Sequence, residues 1–411
     1  MKKCIIVLTD KYPFGNGETF VETERHFWLQ NFDLVIICPV IATEKDELRV
    51  TFKKCAKKEI IIHTVDTHPT IVDIIKNING FYSIIKQSGE IVKWTEFQPS
   101  KIKSAIAMAI YSNMRYKRIL KKILSEVGNL SDFHIYVYAY WMFEPALVGA
   151  ALYKELGASR FISRAHGYDL YEERQPSHYF AFRNCLFNQL DKIYPISKDG
   201  EEYLCQKYPQ LKNKISVARL GTIKLYDSIN SQKTINRLVL VSCSNLVPLK
   251  RVNRIISALS HVRQPVFWYH FGDGEQRNEL ETQAKRLPKN IKSCFMGRIP
   301  NDQVQKFYAE NYIDVFVNVS ETEGIPVSIM EAQSYGIPVV ATDVGGTHEI
   351  IHDGLNGLLL KANFSDSELL SAINTISVNA ETFRLESIKA WNQMSNAELN
   401  YSRFFEREFR A

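Results

Sequence analysis

The 411-residue chain has seven cysteines, at positions 4, 38, 55, 185, 205, 243 and 294, and no Cys-x-x-Cys pair among them. Scattered thiols of this kind, some inside apolar runs such as LVIICPV, exclude a disulfide framework and a cysteine zinc site. They read as reduced, mostly buried side chains of a cytosolic protein. No apolar run reaches the length of a membrane span. The short apolar stretch in KKCIIVLTD is too brief for a signal-peptide core and reads as a first strand. No zinc finger, basic zipper or other nucleic-acid motif is present, so nucleic acid is not an expected partner. No Asp-x-Asp pair stands in a metal-binding context, and neither a metal nor another cofactor is expected. Short-period repeats and low-complexity tracts are absent.

What remains is the composition of a soluble globular protein, 45% hydrophobic and 23% charged. The length suits two domains. The net charge of +6 is clustered. Lys53, Lys54, Lys57 and Lys58 fall together, as do Lys101, Lys103, Arg115, Lys117, Arg118, Lys121 and Lys122. The second group lies in KIKSAIAMAIYSNMRYKRILKKIL, where Ile, Met and Leu recur at helical spacing. It reads either as a basic amphipathic helix on an anionic membrane surface or as a domain helix with a solvated basic face.

Strands and helices alternate along the first half. CIIVLTD (4–10), LVIICPV (34–40), EIIIHTV (59–65), IYVYAY (135–140), RFISRAHG (160–167) and KIYPIS (192–197) read as strands. Alternating βα units predict a parallel sheet covered by helices. The polar YDSINSQKTIN (226–236) reads as a linker. A second series follows: RLVLVSCS (237–244), VFWYHFGDG (266–274), IKSCFMG (291–297), IDVFVNVS (313–320) and PVVATD (338–343). The chain is therefore expected to be α/β, with two Rossmann-like domains facing a cleft. Expected boundaries are 1–225, the linker 226–236, 237–388, and an amphipathic last helix within 389–411.

The stretch ETEGIPVSIME (321–331) carries the sharpest chemical signal. Glu323 and Glu331 flank a Gly turn at Gly324 and a helix start at Pro326. Proline suits the first helical position, where its missing N–H costs nothing. Glu323 then precedes the helix, and Glu331 lies more than a turn inside, roughly 7–8 Å further along at 1.5 Å per residue. The apolar YIDVFVNVS before it reads as a buried parallel strand. Strand carboxyl ends leading into helix starts are where open α/β sheets hold ligands, anions above all. The plain alternative is an ordinary helix start with two solvated acids.

EGIPVSIMEA, then GIPVVATDVGGTHEII, then DGLNGLLL together resemble family 4 of the retaining glycosyltransferases, which have the GT-B fold. The resemblance runs over nearly the whole chain and is strongest from Asn245 to Gly357. It implies that the last helix crosses back onto the first domain. It implies transfer of a hexose from a nucleotide diphosphate sugar, with UDP preferred over GDP, to a saccharide or lipid-linked acceptor. The setting it implies is bacterial capsule, exopolysaccharide or lipopolysaccharide assembly, in the cytoplasm or peripherally at the inner membrane face. A sugar-nucleotide epimerase of the same fold and a non-catalytic scaffold are the alternatives.

By that resemblance Glu323 orients the donor sugar, and Glu331 binds the ribose hydroxyls. Gly324, Ile325, Pro326, Val327 and Ser328 offer their backbone to the diphosphate. Lys250, in CSNLVPLKRV, matches the family's diphosphate lysine. The companion arginine is Asn245 here, and the glycine usual after the lysine is Arg251. Arg251 either supplies the lost charge or points to solvent. His166-Gly167 resembles the family's His-Gly element beside the donor sugar. Asp169 either bonds sugar hydroxyls or caps the following helix. Gly15, Gly17 and Glu18 resemble the first glycine-rich loop, facing donor or acceptor, though such a loop is often only a turn. The turn FGDGE (271–275) borders the nucleotide pocket, and Arg298 falls near the base without a catalytic role.

Overall fold

A computed structural model describes residues 1–15, 17–49, 52, 58–65, 99–175, 178–228, 233 and 237–409. Lys53, Lys54 and Lys57 of the first basic cluster, and most of the expected linker 226–236, lie outside the described residues.

The strands are β1 Lys2–Thr9, β2 Leu34–Pro39, β3 Glu59–Ile61, β4 Phe133–Ala139, β5 Arg160–Ala165 and β6 Lys192–Pro195, then β7 Leu238–Cys243, β8 Val266–Phe271, β9 Ile291–Gly297, β10 Val315–Asn318, β11 Val339–Thr342 and β12 Gly357–Leu360. Between them lie the helices α1 Val21–Asn31, α2 Pro99–Glu126, α3 Glu144–Glu155, α4 Gly167–Leu170, α5 Arg183–Gln189 and α6 Lys198–Lys207. The second half adds α7 Val252–Leu259, α8 Arg277–Ala284, α9 Asn301–Glu310, α10 Val327–Ser334, α11 Asp366–Val378, α12 Ala380–Ala390 and α13 Ala397–Phe409.

Two six-stranded sheets result, ordered β3-β2-β1-β4-β5-β6 and β12-β11-β10-β7-β8-β9. Their strand pairs are parallel, as Ile6 opposite Ile36 and Val317 opposite Val340 illustrate. Both sheets have the same winding, because each reverses direction between its first and fourth strand. Buried Ile, Val and Leu fill the strands, since helices cover both faces. One core gathers Cys4, Ile6, Leu8, Ile36, Val137 and Phe161. The other gathers Leu240, Trp268, Val315, Val317 and Val340.

The first unit comprises Met1–Ala218 with Phe404–Ala411, and the second Arg219–Arg403. The expected boundary at residue 225 therefore shifts to Arg219. Residues just after Ala218 already bond within the second unit: Arg219 pairs with Glu349, and the Leu225 and Tyr226 amides donate to Gln305 (3.1 Å) and Tyr335 (3.3 Å).

Two further expectations change. β12 is a strand that the pattern reading lacked; GLLL is only four residues long. The single last helix expected within 389–411 is interrupted by a π-turn at Trp391–Ser395. Thr222 bonds to both sides of the break, accepting from Ala397 N (3.1 Å) and donating its own N–H to Ser395 O (2.8 Å). Gly221 permits that approach, since a Cβ there would stand 2.4 Å from Ala397 Cα.

The basic helix is present as α2, but its charge is partly spent inside the first unit. Arg115 is buried and ion-paired with Glu144. Lys122 donates to His63 O (2.7 Å), and Arg118 reaches Val65 O (3.4 Å). Lys103, Lys117 and Lys121 remain exposed.

Candidate active site

In each sheet the switch of winding direction leaves a crevice at the strand carboxyl ends, where α/β folds bind ligands. In the second unit the switch lies between β7 and β10. The segments leaving these strands carry Lys250 and Glu323. Lys250 ends a short 3-10 turn, Pro248–Lys250. Its Nζ lies 2.5 Å from Glu323 Oε1, with both side chains mostly covered. Asn318 Nδ2, at the end of β10, approaches the same oxygen at 3.3 Å. The two loops are stitched by Glu321 N donating to Leu249 O (2.8 Å).

The Glu323 loop is supported from behind by Gly345 and Gly346. Gly346 N donates to Gly324 O (2.7 Å). Gly345 has φ +54°, and a Cβ there would lie 2.1 Å from Glu323 O. Only glycine fits that position, which explains DVGG as part of the site. Pro326 is the N-cap residue of α10, and Val327 its first helical residue. Helix starts leave such amides without intrahelical acceptors. Ile325 is buried.

Glu331 sits one turn into α10. Asn301, which opens α9, donates Nδ2 to its Oε1 at 2.6 Å. Gln305 holds Asn301 by a 2.9 Å bond and itself accepts from Tyr335 Oη at 2.9 Å. Burial pushes the Glu331 carboxyl up to about 7, and the Asn301 bond opposes that rise.

Arg251 corrects an expectation. Its guanidinium is turned onto backbone carbonyls. It donates to Val319 O (2.8 Å), Ser320 O (3.2 Å) and Ala362 O (2.7 Å). Its backbone is left-handed, φ +47°. The usual glycine is explained by that φ; here three carbonyl bonds hold an arginine in its place. Asn245, at the end of β7, instead accepts from Arg298 Nη2 at 3.2 Å.

In the first unit the switch lies between β1 and β4. Glu18, at φ +55° in the loop after β1, accepts from Asp10 N (3.1 Å), Lys11 N (2.7 Å), Tyr12 N (2.7 Å) and Trp141 Nε1 (2.6 Å). It braces the loop, and its four acceptor bonds leave it little capacity for an acceptor sugar. Gly15 is left-handed at φ +64°, while Gly17 has open space beside it. Asp169 likewise caps and braces: it accepts from His166 N and Met142 N, each at 2.5 Å, and is fully buried.

His166 is the group this scaffold presents. Its ring packs against Tyr140 (centroids 5.2 Å apart), Trp141 (4.5 Å) and Phe20 (5.9 Å). It is 5% exposed, and neither ring nitrogen has a hydrogen-bond partner of good geometry. Its Nδ1 lies 3.9 Å from Asp169 Oδ2, beyond hydrogen-bond distance. Asp10, at the end of β1, is raised to about 7 by burial and then by the neighbouring charges of Glu18 and Asp169. Asp10, Phe20, Trp141, Asn301 and Asn318 escaped the sequence reading. Only their places just beyond strands, or at a helix start, could have signalled them.

Comparison with known proteins agrees with this architecture. The lipopolysaccharide outer core galactosyltransferase WaaB superposes with a TM-score of 0.66 at 14% identity, over 99% of both chains. Anabaena HepE, solved in complex with UDP-glucose, gives 0.62 at 18% identity over 98% of both. The chain thus has the GT-B fold. Residues 227–390, within the second unit, match the family model described as glycosyl transferases group 1. WcaL of Escherichia coli strain K12, named as a candidate colanic acid biosynthesis glycosyltransferase, is 30% identical over 233 residues, 54% of this chain and 57% of its own. The chain spans about half the length of the curated relatives it matches. Among the described residues no helix is long and apolar enough to cross a membrane.

Proposed function

We propose that this protein is a retaining, family 4 glycosyltransferase that moves a hexose from a UDP- or GDP-sugar to a saccharide or lipid-linked acceptor during surface polysaccharide assembly. The observation that carries the reading is the Lys250–Glu323 pair, 2.5 Å apart at the switch point and beside the start of α10. Glu331 lies one turn into the same helix. This set suits a nucleotide sugar. Glu331 accepts hydrogen bonds from the vicinal ribose hydroxyls, and Glu323 holds sugar hydroxyls. Lys250 and the α10 amides meet the phosphates.

The difficult step is departure of the nucleoside diphosphate from the anomeric carbon. Preorganised positive charge at the leaving oxygen lowers that barrier. The bond from C1 to the phosphate oxygen breaks, and the acceptor oxygen bonds C1 on the same face. The acceptor proton passes to the departing phosphate. His166, buried among aromatic rings, is the first unit's candidate for the sugar in this scheme. Protein cations and amides supply the positive charge, so turnover is expected to persist in EDTA.

Titrating purified protein with UDP- and GDP-sugars, beside Glu331→Ala, tests the reading. One donor binds and is slowly hydrolysed, and the substitution weakens its binding roughly tenfold or more, the scale of a charged hydrogen bond. Absence of binding to every donor at millimolar concentration would overturn the proposal. Conversion of the donor to an epimer without acceptor would replace it with the epimerase reading.

A further inference from the structure

The cations at the carboxyl edge of the second sheet are not equally available to an anion. Lys250 is matched by Glu323 at 2.5 Å, so that pair adds no net charge. Arg251 is committed to three carbonyls. Arg254 donates to Phe364 O (2.5 Å) and pairs with Asp366 (3.5 Å). Arg277 pairs with Asp273 (3.1 Å) and Glu281 (2.8 Å). A diphosphate brings at least two negative charges, which a neutral Lys250–Glu323 pair cannot offset.

Arg298 differs from the others. It is exposed and donates to a neutral group, the Asn245 amide oxygen at 3.2 Å. No carboxylate lies within ion-pair distance of it among the described residues; Asp273 feels its charge but is bonded to Arg277 and to Gly274 N (2.8 Å). A guanidinium has five N–H donors, and one such bond leaves most of them available.

The backbone also fixes where Arg298 stands. Gly272 N donates to Gly297 O (2.9 Å), Ser244 N to Phe271 O (2.9 Å) and Leu246 N to Asp273 O (3.0 Å). The loops after β7, β8 and β9 are thereby laced together. Gly272 is left-handed at φ +133°, and a Cβ there would meet Ser244 O at 1.9 Å, so the lacing needs glycine. Asn245 then holds one arm of a planar fork, suited to phosphate oxygens, beside the end of β7.

We propose that Arg298, oriented by Asn245, binds the phosphates of the donor and provides the net positive charge that the Lys250–Glu323 pair does not. The inference rests on the nucleotide-sugar reading above.

The test compares UDP, GDP and uridine binding by calorimetry in the wild type, Arg298→Ala, Arg298→Lys and the double variant Asn245→Arg/Arg298→Ala. Thermal melts check that each is folded. For the nucleotide that binds, Arg298→Ala weakens affinity roughly 10- to 100-fold while a nucleoside lacking phosphate is unaffected. Arg298→Lys retains part of the affinity, and the double variant regains it by restoring charge beside β7. Equal affinity in wild type and Arg298→Ala overturns the inference alone. So does a parallel loss for uridine, which would mark a base contact. A wild type that binds neither nucleotide overturns the donor reading and this inference with it.

Discussion

At the scale of single residues, proximity of acids and bases in the letters did not reveal which would be occupied. Glu18 and Asp169, each open to a ligand or a structural reading in the letters, are internal braces: Glu18 accepts from the backbone of Asp10 to Tyr12 in its own loop, and Asp169 from His166 and the distant Met142. His166 makes no hydrogen bond through its ring, and Glu331 accepts one, from Asn301. Glu331 makes a prediction whose sign is fixed. Its carboxyl is raised to about 7 from 4.5, so between those values the folded protein holds a proton that the unfolded chain has lost. Its contribution to stability therefore falls as pH rises through that window. Ligand binding runs the other way, since the ribose diol needs a carboxylate as double acceptor. Nucleotide affinity of the wild type is expected to improve several-fold between about pH 6 and pH 8, as a group titrating near neutrality requires. Glu331→Gln should bind weakly at both and lose the slope. A slope unchanged in Glu331→Gln would assign the titration elsewhere.

At the scale of elements, the strands were legible because buried parallel strands are continuous apolar runs. Features imposed by distant chain were not. Thr222 bonds to both sides of the break at the π-turn Trp391–Ser395, and nothing near residue 391 announces it. GIPVVATDVGG was legible as a motif, but its reason is steric and appears only with the Glu323 loop in place. Two glycines separate the effects. Gly345 and Gly354 are both left-handed, at φ +54° and +78°, yet only Gly345 has backbone in the way of a Cβ. Gly354→Ala should cost about 1–2 kcal/mol, the penalty of that conformation for an L-residue, and leave nucleotide binding unchanged. Gly345→Ala should cost more and weaken nucleotide binding, because Glu323 must shift. Denaturant midpoints and nucleotide titrations of the two variants decide it, and equal behaviour would remove the steric argument.

At the scale of the whole molecule, the two halves were unequally readable. The family match spans residues 227–390, within the second unit, whose motif ETEGIPVSIME is contiguous in the sequence. The first unit's site depends on long-range bonds, and its fold is finished by residues from the far end of the chain. Phe404, Phe405 and Phe409 of α13 are buried there. Phe405 stacks with Phe27 at 6.3 Å, and Phe409 meets Phe32 at 5.1 Å and Tyr136 at 5.3 Å. Phe404 covers the fully buried Arg164, whose guanidinium lies 4.6 Å from its ring and pairs with Glu24 at 3.1 Å. Arg160 pairs with Glu408 at 2.6 Å. The last turns of the chain thus close the core of its first half. Phe405→Ala should destabilise that unit by about 3–5 kcal/mol, as truncation of a buried phenylalanine does. Hydrogen exchange should show the loss in peptides covering β1 and β4, with β7 and β8 retaining their protection. Equal loss in both sets would mean that the two units unfold as one, and that α13 stabilises the molecule rather than its first half.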